Sequence, residues 1–219
     1  MDIRQPAAVD DPTLVNTASK SWLSRSRAWI SILLLTPVGF LAAFSAPHVL
    51  PNSWAELGFA MVGWGLFLTG AFSRWWATLY IGGRKGNQLM HDGPYSMSRN
   101  PLYFGTFLIV LSIAAMIQSL IFALALLASS ILYLIVTVPR EERRLLQNFG
   151  EAYASYRKRV PVFFPRVRLY HSAEEIVVRT DGLRAEFLRS LQWIWVPFIC
   201  HFVVHLRTQS WWPHFFRMP

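Results

Sequence analysis

Apolar positions along this chain fall into long runs rather than into the short periodic stripes of a water-soluble core. Eighteen residues from Trp29 to Ala46 pass without a charge, and from Trp54 to Phe72 only Glu56 intervenes, near the start. A bilayer-spanning helix needs about 17–25 mainly apolar residues, so both stretches predict spans. Asp2, Asp10 and Asp11 precede the first run and Pro47 follows it directly, which predicts a retained span rather than a cleaved leader. A third run, Leu102 to Val138, has no charge at all and weakens chiefly at Gln118 and Ser119. As one helix it would rise about 55 Å, nearly twice the hydrocarbon thickness, so it must fold into a hairpin of two spans turning near Gln118. Leu188 to Leu206 carries Arg189, Gln192, Pro197, His201 and His205, and fits either a span or an interfacial helix. Trp193, Trp195, Trp211 and Trp212 suit the headgroup belt in both cases.

Composition sharpens this to a fold class. Of 219 residues, 53% are apolar and only 15% charged, too few to coat a molecule with water-facing charge when about 25% is usual. The expectation is an all-α, multi-span transmembrane helical bundle with a cytoplasmic amphipathic helix. Aromatic residues at 15% exclude a disordered chain, and the single Cys200 excludes a disulfide framework or a Cys-based zinc cage. A net charge of +9 in a soluble protein would raise nucleic acid, but no such motif is visible and none is expected as a partner. The basic residues gather instead at the ends of the runs. Lys20, Arg25 and Arg27 precede the first; Arg74, Arg84, Lys85 and Arg99 follow the second; Arg140, Arg143, Arg144, Arg157, Lys158 and Arg159 follow the fourth. The loops at 47–53 and around Gln118 have no Lys or Arg, so the N-terminus and both basic loops are predicted to be cytoplasmic. Three regions result: a cytoplasmic segment, 1–28; a membrane core with four spans, 29–165; and a connection with a C-terminal spanning or interfacial helix, 166–219.

Candidate chemistry concentrates on the predicted cytoplasmic face. Gly82 to Gly86 is a basic turn that matches no phosphate-loop spacing. In the segment from Asn87 to Tyr103, two X-Pro steps at Gly93-Pro94 and Asn100-Pro101 force a turning backbone, with Asn100 expected to cap the helix that Pro101 opens. Capping does not explain Arg99, Tyr95 and Tyr103 at the mouth of an uncharged hairpin. Pro139 is expected to end the fourth span and to start a helix over Arg140 to Lys158. In that helix Leu145, Phe149, Tyr153 and Tyr156 form one stripe, and Gly150 is a point where it ends or bends. One turn back, the stripe reaches Glu141, a carboxylate directed inward near a bilayer and therefore a functional candidate. A bland pairing of Glu141 with Arg99 or Arg74 is the alternative. His91, His171, His201 and His205 do not read as a metal set, since His201 and His205 share a face but no third ligand is evident.

Gly-Pro-Tyr-Ser-Met-Ser-Arg-Asn-Pro-Leu-Tyr at 93–103, the apolar hairpin, Glu141-Glu142, Phe149 to Tyr156 and Val160-Pro161 together resemble the isoprenylcysteine carboxyl methyltransferase and phospholipid methyltransferase superfamily. The resemblance covers about Leu79 to Pro165. It implies an integral membrane enzyme that transfers methyl from S-adenosylmethionine, bound on the cytoplasmic side, to a lipid or amphiphilic small molecule reached from the bilayer. By position it implicates Asn87, Gln88, Leu89, Met90, Tyr95, Asn100, Pro101, Leu102, Tyr103 and Glu141 in cofactor binding. Arg99 and Glu142 are the catalytic candidates, Glu142 as a proton acceptor. The family often has His where this chain has Asn87 and Asn100, and asparagine can hydrogen-bond but cannot act as a base near neutral pH. Thr137 stands where eukaryotic members have a substrate-serving Arg, which counts against a prenylcysteine acceptor. Gly105, one turn into the hairpin, is expected to border the acceptor groove. A membrane reductase using a nicotinamide cofactor would need a dinucleotide fingerprint, which is absent. A non-catalytic scaffold would leave Glu141 and the Arg99 segment unused.

Overall fold

A computed structural model describes residues 36–47, 49–81, 89–176, 178 and 180–215. The segment 1–28, the first part of the Trp29 run, the 82–86 turn, Asn87 and Gln88 lie outside the described residues. The described chain is helical and contains no strand: α1 (36–43), α2 (Trp54–Ile81), a short α3 (Pro94–Met97), α4 (Pro101–Ile117), α5 (Leu120–Arg159), a 3-10 turn (Val167–Leu169), α6 (Thr180–Trp193) and α7 (Trp195–Thr208). Three helical stretches are long and apolar enough to cross a membrane: α2, α5 and the α6–α7 pair over Thr180–Thr208. Phe72, Leu132 and Ile135 stand 69%, 63% and 64% exposed, which for aromatic and aliphatic groups on such helices marks the lipid-facing surface of a membrane bundle.

The centre of the bundle is the pair α2 and α4, which touch backbone to backbone. A Cβ on Gly70 would stand 2.7 Å from the Gly105 carbonyl oxygen, and one on Gly105 would stand 2.8 Å from that of Gly70. Small residues allow this close approach between membrane helices. Gly105 therefore faces α2 and does not border a groove, contrary to the expectation from its place in the hairpin. The hairpin turn itself falls where the polar pair predicted it. Gln118 takes the left-handed conformation after Ile117, and Ser119 opens α5 by accepting a hydrogen bond from Phe122 N at 3.4 Å.

Pro139 does not end the helix that it was expected to end. α5 continues through it, because a proline forfeits one backbone hydrogen bond that the turns on either side can bridge. The break comes at Gly150, whose φ of 51° and ψ of −126° suit a residue without a side chain. The expected stripe is present: Tyr153 and Tyr156 are buried, with Leu145 and Phe149 packed beside them, while Arg140, Arg144, Gln147, Glu151 and Lys158 are exposed.

The C-terminal helices run antiparallel beside α2 over the height of the bundle. Arg74 meets Glu186, Trp75 Nε1 donates to Ser190 Oγ at 2.6 Å, and Trp64 Nε1 donates to His201 Nε2 at 3.1 Å. The C-terminal pair thus lies along α2, and over Thr180–Thr208, with a break at Ile194, it is long and apolar enough to cross a membrane. At the far end Arg207, 2% exposed, donates to the carbonyls of Ser45 (3.1 Å), Ala46 (3.2 Å) and Ile117 (2.7 Å). One guanidinium thus satisfies carbonyls at the end of α4 and after α1, where a cation also suits the helix dipoles.

Candidate functional site

The site is built from the loop around α3 and the last turns of α5. Gly93, at φ 59° and ψ −130°, packs directly against the Tyr80 ring, where a side chain would collide. The loop is then stitched to the segment after α5: Gly93 N donates to His171 O (2.8 Å), Ser98 Oγ to Phe163 O (2.8 Å), Arg99 N to Pro161 O (2.9 Å) and Arg166 N to Met97 O (3.0 Å). Asn100 precedes Pro101 as expected, but its side chain does not cap α4. Its Nδ2 donates to Val162 O at 2.9 Å, adding another stitch. Tyr156 Oη donates to Tyr95 O at 2.7 Å and locks the stripe of α5 against α3.

These ties enclose a cleft with about 650 Å³ of empty space, the solvent at its open mouth included. Nine residues expected from sequence line it together: Leu89, Met90, Tyr95, Arg99, Asn100, Pro101, Leu102, Tyr103 and Glu141. Ile81, Leu145 and Tyr156 complete the wall. Glu141 accepts a hydrogen bond from Tyr103 Oη at 2.7 Å, whereas Arg74 pairs with Glu186 and Arg99 with Glu142. Glu142 is not part of the lining. It sits behind the cleft and pairs with Arg99, Nη1 to Oε1 at 2.8 Å outside hydrogen-bond geometry, with Arg157 at 3.7 Å. Tyr95 is 6% exposed, and its hydroxyl has no hydrogen-bond partner among the described residues; neither has Arg99 Nε. Burial, reinforced by Tyr156 and Glu141, pushes the Tyr95 phenol well above its ordinary pKa, so it stays a neutral donor.

Next to the cleft lies a second, larger space of about 960 Å³ between α4, α5 and Trp193, also counting its mouth. Phe107, Val110, Leu126, Tyr133 and Leu134 make it apolar, with Thr106, Ser129 and Ser130 as minor polar points. Tyr103 lines both spaces. A charged floor supports the boundary: Arg74 donates to Thr106 Oγ1 (2.5 Å), is held by Glu186 (2.7 Å), and lies 5.5 Å from the Trp193 ring centre. Glu186, 3% exposed, is also bound by Arg189. No pattern in the sequence flagged this pair, because Arg74 and Glu186 lie 112 residues apart. The structure also brings His91 and His171 to one carboxylate, Asp92, which the reading of histidine spacings had set apart.

A family model described as phospholipid methyltransferase matches residues 56–152, a stretch that carries every cleft residue except Tyr156. The chain is 30% identical over 200 residues to the nickel-cobalt-cadmium resistance protein NccN of Alcaligenes xylosoxydans xylosoxydans, covering 91% of this chain and 92% of that one. It is 33% identical over 185 residues to the cobalt-zinc-cadmium resistance protein CzcN of Cupriavidus metallidurans, covering 82% of each. It is 29% identical over 160 residues to methanethiol S-methyltransferase 2 of Bradyrhizobium diazoefficiens, covering 73% of this chain and 52% of that protein. No solved structure matches.

Proposed function

The chain belongs to the isoprenylcysteine carboxyl methyltransferase and phospholipid methyltransferase superfamily of membrane methyltransferases, and on that premise we propose that it moves a methyl group from S-adenosylmethionine in the cleft to an amphiphilic acceptor in the apolar groove. The observation that carries this reading is Tyr103. Its hydroxyl is held by Glu141 inside the cleft, while its ring forms part of the groove and meets Tyr133 edge-on at 6.1 Å. A polar site for a charged donor and an apolar site for an acceptor tail therefore share one side chain as their wall.

S-Adenosylmethionine supplies an electrophilic methyl on a sulfonium sulfur. The cleft offers what that molecule needs. The Glu141 carboxylate and the faces of the surrounding tyrosines suit the cation. Tyr95 Oη and Arg99 Nε, both buried and without partners among the described residues, are donors for its carboxylate or ribose oxygens. Glu142 acts through Arg99, fixing the guanidinium, and the proton-acceptor role does not suit a carboxylate held behind the wall. With a thiol acceptor, a bond from its sulfur to the methyl carbon would form as the donor's carbon–sulfur bond breaks, leaving S-adenosylhomocysteine, and the thiol proton would pass to water; a carboxylate acceptor would have no proton to lose. Alignment of donor and acceptor can supply about 7–11 kcal/mol of the barrier, which makes the fixed wall at Tyr103 the central catalytic device. In this reading the protein is multi-pass and the cleft opens to the cytoplasm, where the Lys and Arg residues gather. Two of the relatives are named for resistance to nickel, cobalt, zinc and cadmium, and we place the methyl transfer in the same physiology.

Donor binding is the direct test. Calorimetry on the detergent-solubilised protein should show S-adenosylmethionine binding, weakened by about ten- to a hundred-fold in Glu141→Gln, the range of a lost charge-assisted interaction. S-Adenosylhomocysteine, which lacks the positive sulfur, should lose less. Absence of binding by the folded parent protein would defeat the proposal.

A further inference from the structure

Beyond the methyl-transfer cleft, on the other side of α3, His91, Asp92 and His171 converge. His91 Nδ1 stands 3.3 Å from Asp92 Oδ1, and His171 Nε2 stands 3.4 Å from the same oxygen. The three ligand-capable atoms all lie within 4.8 Å of one another. Two ligands on a tetrahedral metal with bonds of about 2.0–2.1 Å are about 3.3–3.4 Å apart, so two edges of such a polyhedron are already set. We propose that His91, Asp92 and His171 bind one divalent transition-metal ion of the zinc, cobalt or nickel class, with a fourth position open to water.

The surroundings are those of a ligand set rather than of a chance ion pair. His171 Nδ1 lies 3.1 Å from Leu169 O, a backbone acceptor for that nitrogen, while Nε2 is the ring nitrogen on the side of Asp92. A metal-bound imidazole is commonly held in this way, by a backbone carbonyl on its other nitrogen. The backbone positions of the two segments are fixed independently: Gly93 N donates to His171 O at 2.8 Å, and His171 N to Ser96 Oγ at 3.1 Å. The ligands therefore come from two strands of chain held together before any ion arrives. His91 and His171 open onto a hollow of about 720 Å³, counting its mouth, that also includes Arg159 and Tyr156. His91 and His171 remain more than half exposed, 55% and 59%, so an ion can enter from solvent. Two imidazoles and one carboxylate suit the borderline divalent ions and not calcium or magnesium, which prefer all-oxygen shells. Occupied, the site would fasten the 91–96 loop, which carries Tyr95 of the cleft, to the segment at 169–172.

The test uses the full-length protein, purified in detergent with an affinity tag that contains no histidine and titrated with Co²⁺ alone. Expected are one equivalent bound at micromolar concentration with the visible absorption of a low-coordinate cobalt site, its displacement by Zn²⁺, and a rise in the thermal midpoint. His171→Gln and Asp92→Asn should each weaken binding at least ten-fold while melting, without metal, where the parent does. His201→Ala with His205→Ala, at a distant part of the bundle, should bind as the parent. Binding only at millimolar cobalt would mean that the cluster is a surface ion pair, and undiminished binding in His171→Gln would place the ion elsewhere; either result overturns the proposal.

Discussion

Removing one oxygen atom from Tyr95 should push stability and donor affinity in opposite directions. The hydroxyl is buried without a partner among the described residues, and a buried unpaired donor costs the fold about 1–3 kcal/mol. Tyr95→Phe keeps the ring, its packing against Ala77 and Tyr80, and the carbonyl that receives the Tyr156 hydrogen bond. The donor-free protein should therefore become more stable by about that amount. For a chain of this length each kcal/mol corresponds to roughly 2–4 °C in the midpoint. Binding of S-adenosylmethionine should weaken, because the ligand no longer satisfies a group that was waiting for it. The same 1–3 kcal/mol converts to a loss of about five- to 150-fold. Since the phenol is held well above its ordinary pKa, it is protonated and neutral throughout the working range, and the affinity loss should be flat from about pH 6 to 9. Thermal unfolding in detergent without donor, paired with calorimetric titration, measures both quantities on one preparation. A variant that melts lower than the parent and binds the donor equally well would refute the assignment of this hydroxyl to the ligand.

Two further outcomes follow from the groove and the loops. Ser129 lines the groove, so Ser129→Phe should fill it: turnover of a long-chain thiol should fall at least ten-fold relative to methanethiol, because each buried CH₂ contributes about 0.8 kcal/mol, or about four-fold. Equal slowing of both substrates in a labelled-methyl assay would remove the groove from acceptor binding. For orientation, Ser155→Cys and Ala173→Cys, both exposed, on a Cys200→Ala background should resist impermeant maleimide in intact cells and react after lysis; labelling from outside would invert the topology. Ser96, fully buried and accepting from His171 N, is unsuitable as a reporter despite its place in the loop.

The fold was legible wherever a single local cause decides it. Charge-free runs announced the apolar helices α2, α4 and α5, the polar pair at Gln118 announced the turn, and the four-residue spacing of Leu145, Phe149 and Tyr153 announced the buried stripe. Glu141 was legible by the same spacing, since a carboxylate in register with a buried stripe must point inward. What failed were inferences in which a local rule competes with packing. Asn100 has the residue type and place of a cap, yet Val162 O lies closer to what its amide needs. Gly105 reads as free space along the hairpin, yet it is where α2 presses in. Long-range partners were invisible in principle: no spacing in the sequence ties Arg74 to Glu186, or His91 to His171, because only the folded path brings them together.

The unbroken passage of α5 through Pro139 is what couples the two halves of the proposed reaction. Tyr133 lies in the groove and Glu141 in the cleft, eight residues apart on one helix, which sets them about 12 Å apart along its axis on neighbouring faces. Tyr103 on α4 touches both, stacking edge-on against the first and donating to the second. A helix that stopped at the proline would attach the acidic segment through a hinge, and the carboxylate facing the sulfonium could drift relative to the groove holding the acceptor. Because displacement at a methyl carbon needs nucleophile and leaving group in line, even about 1 Å of such drift is costly. The place where the chain does bend, Gly150, lies about two and a half turns beyond Glu141, far enough to let Tyr156 close the wall of the cleft without disturbing that register.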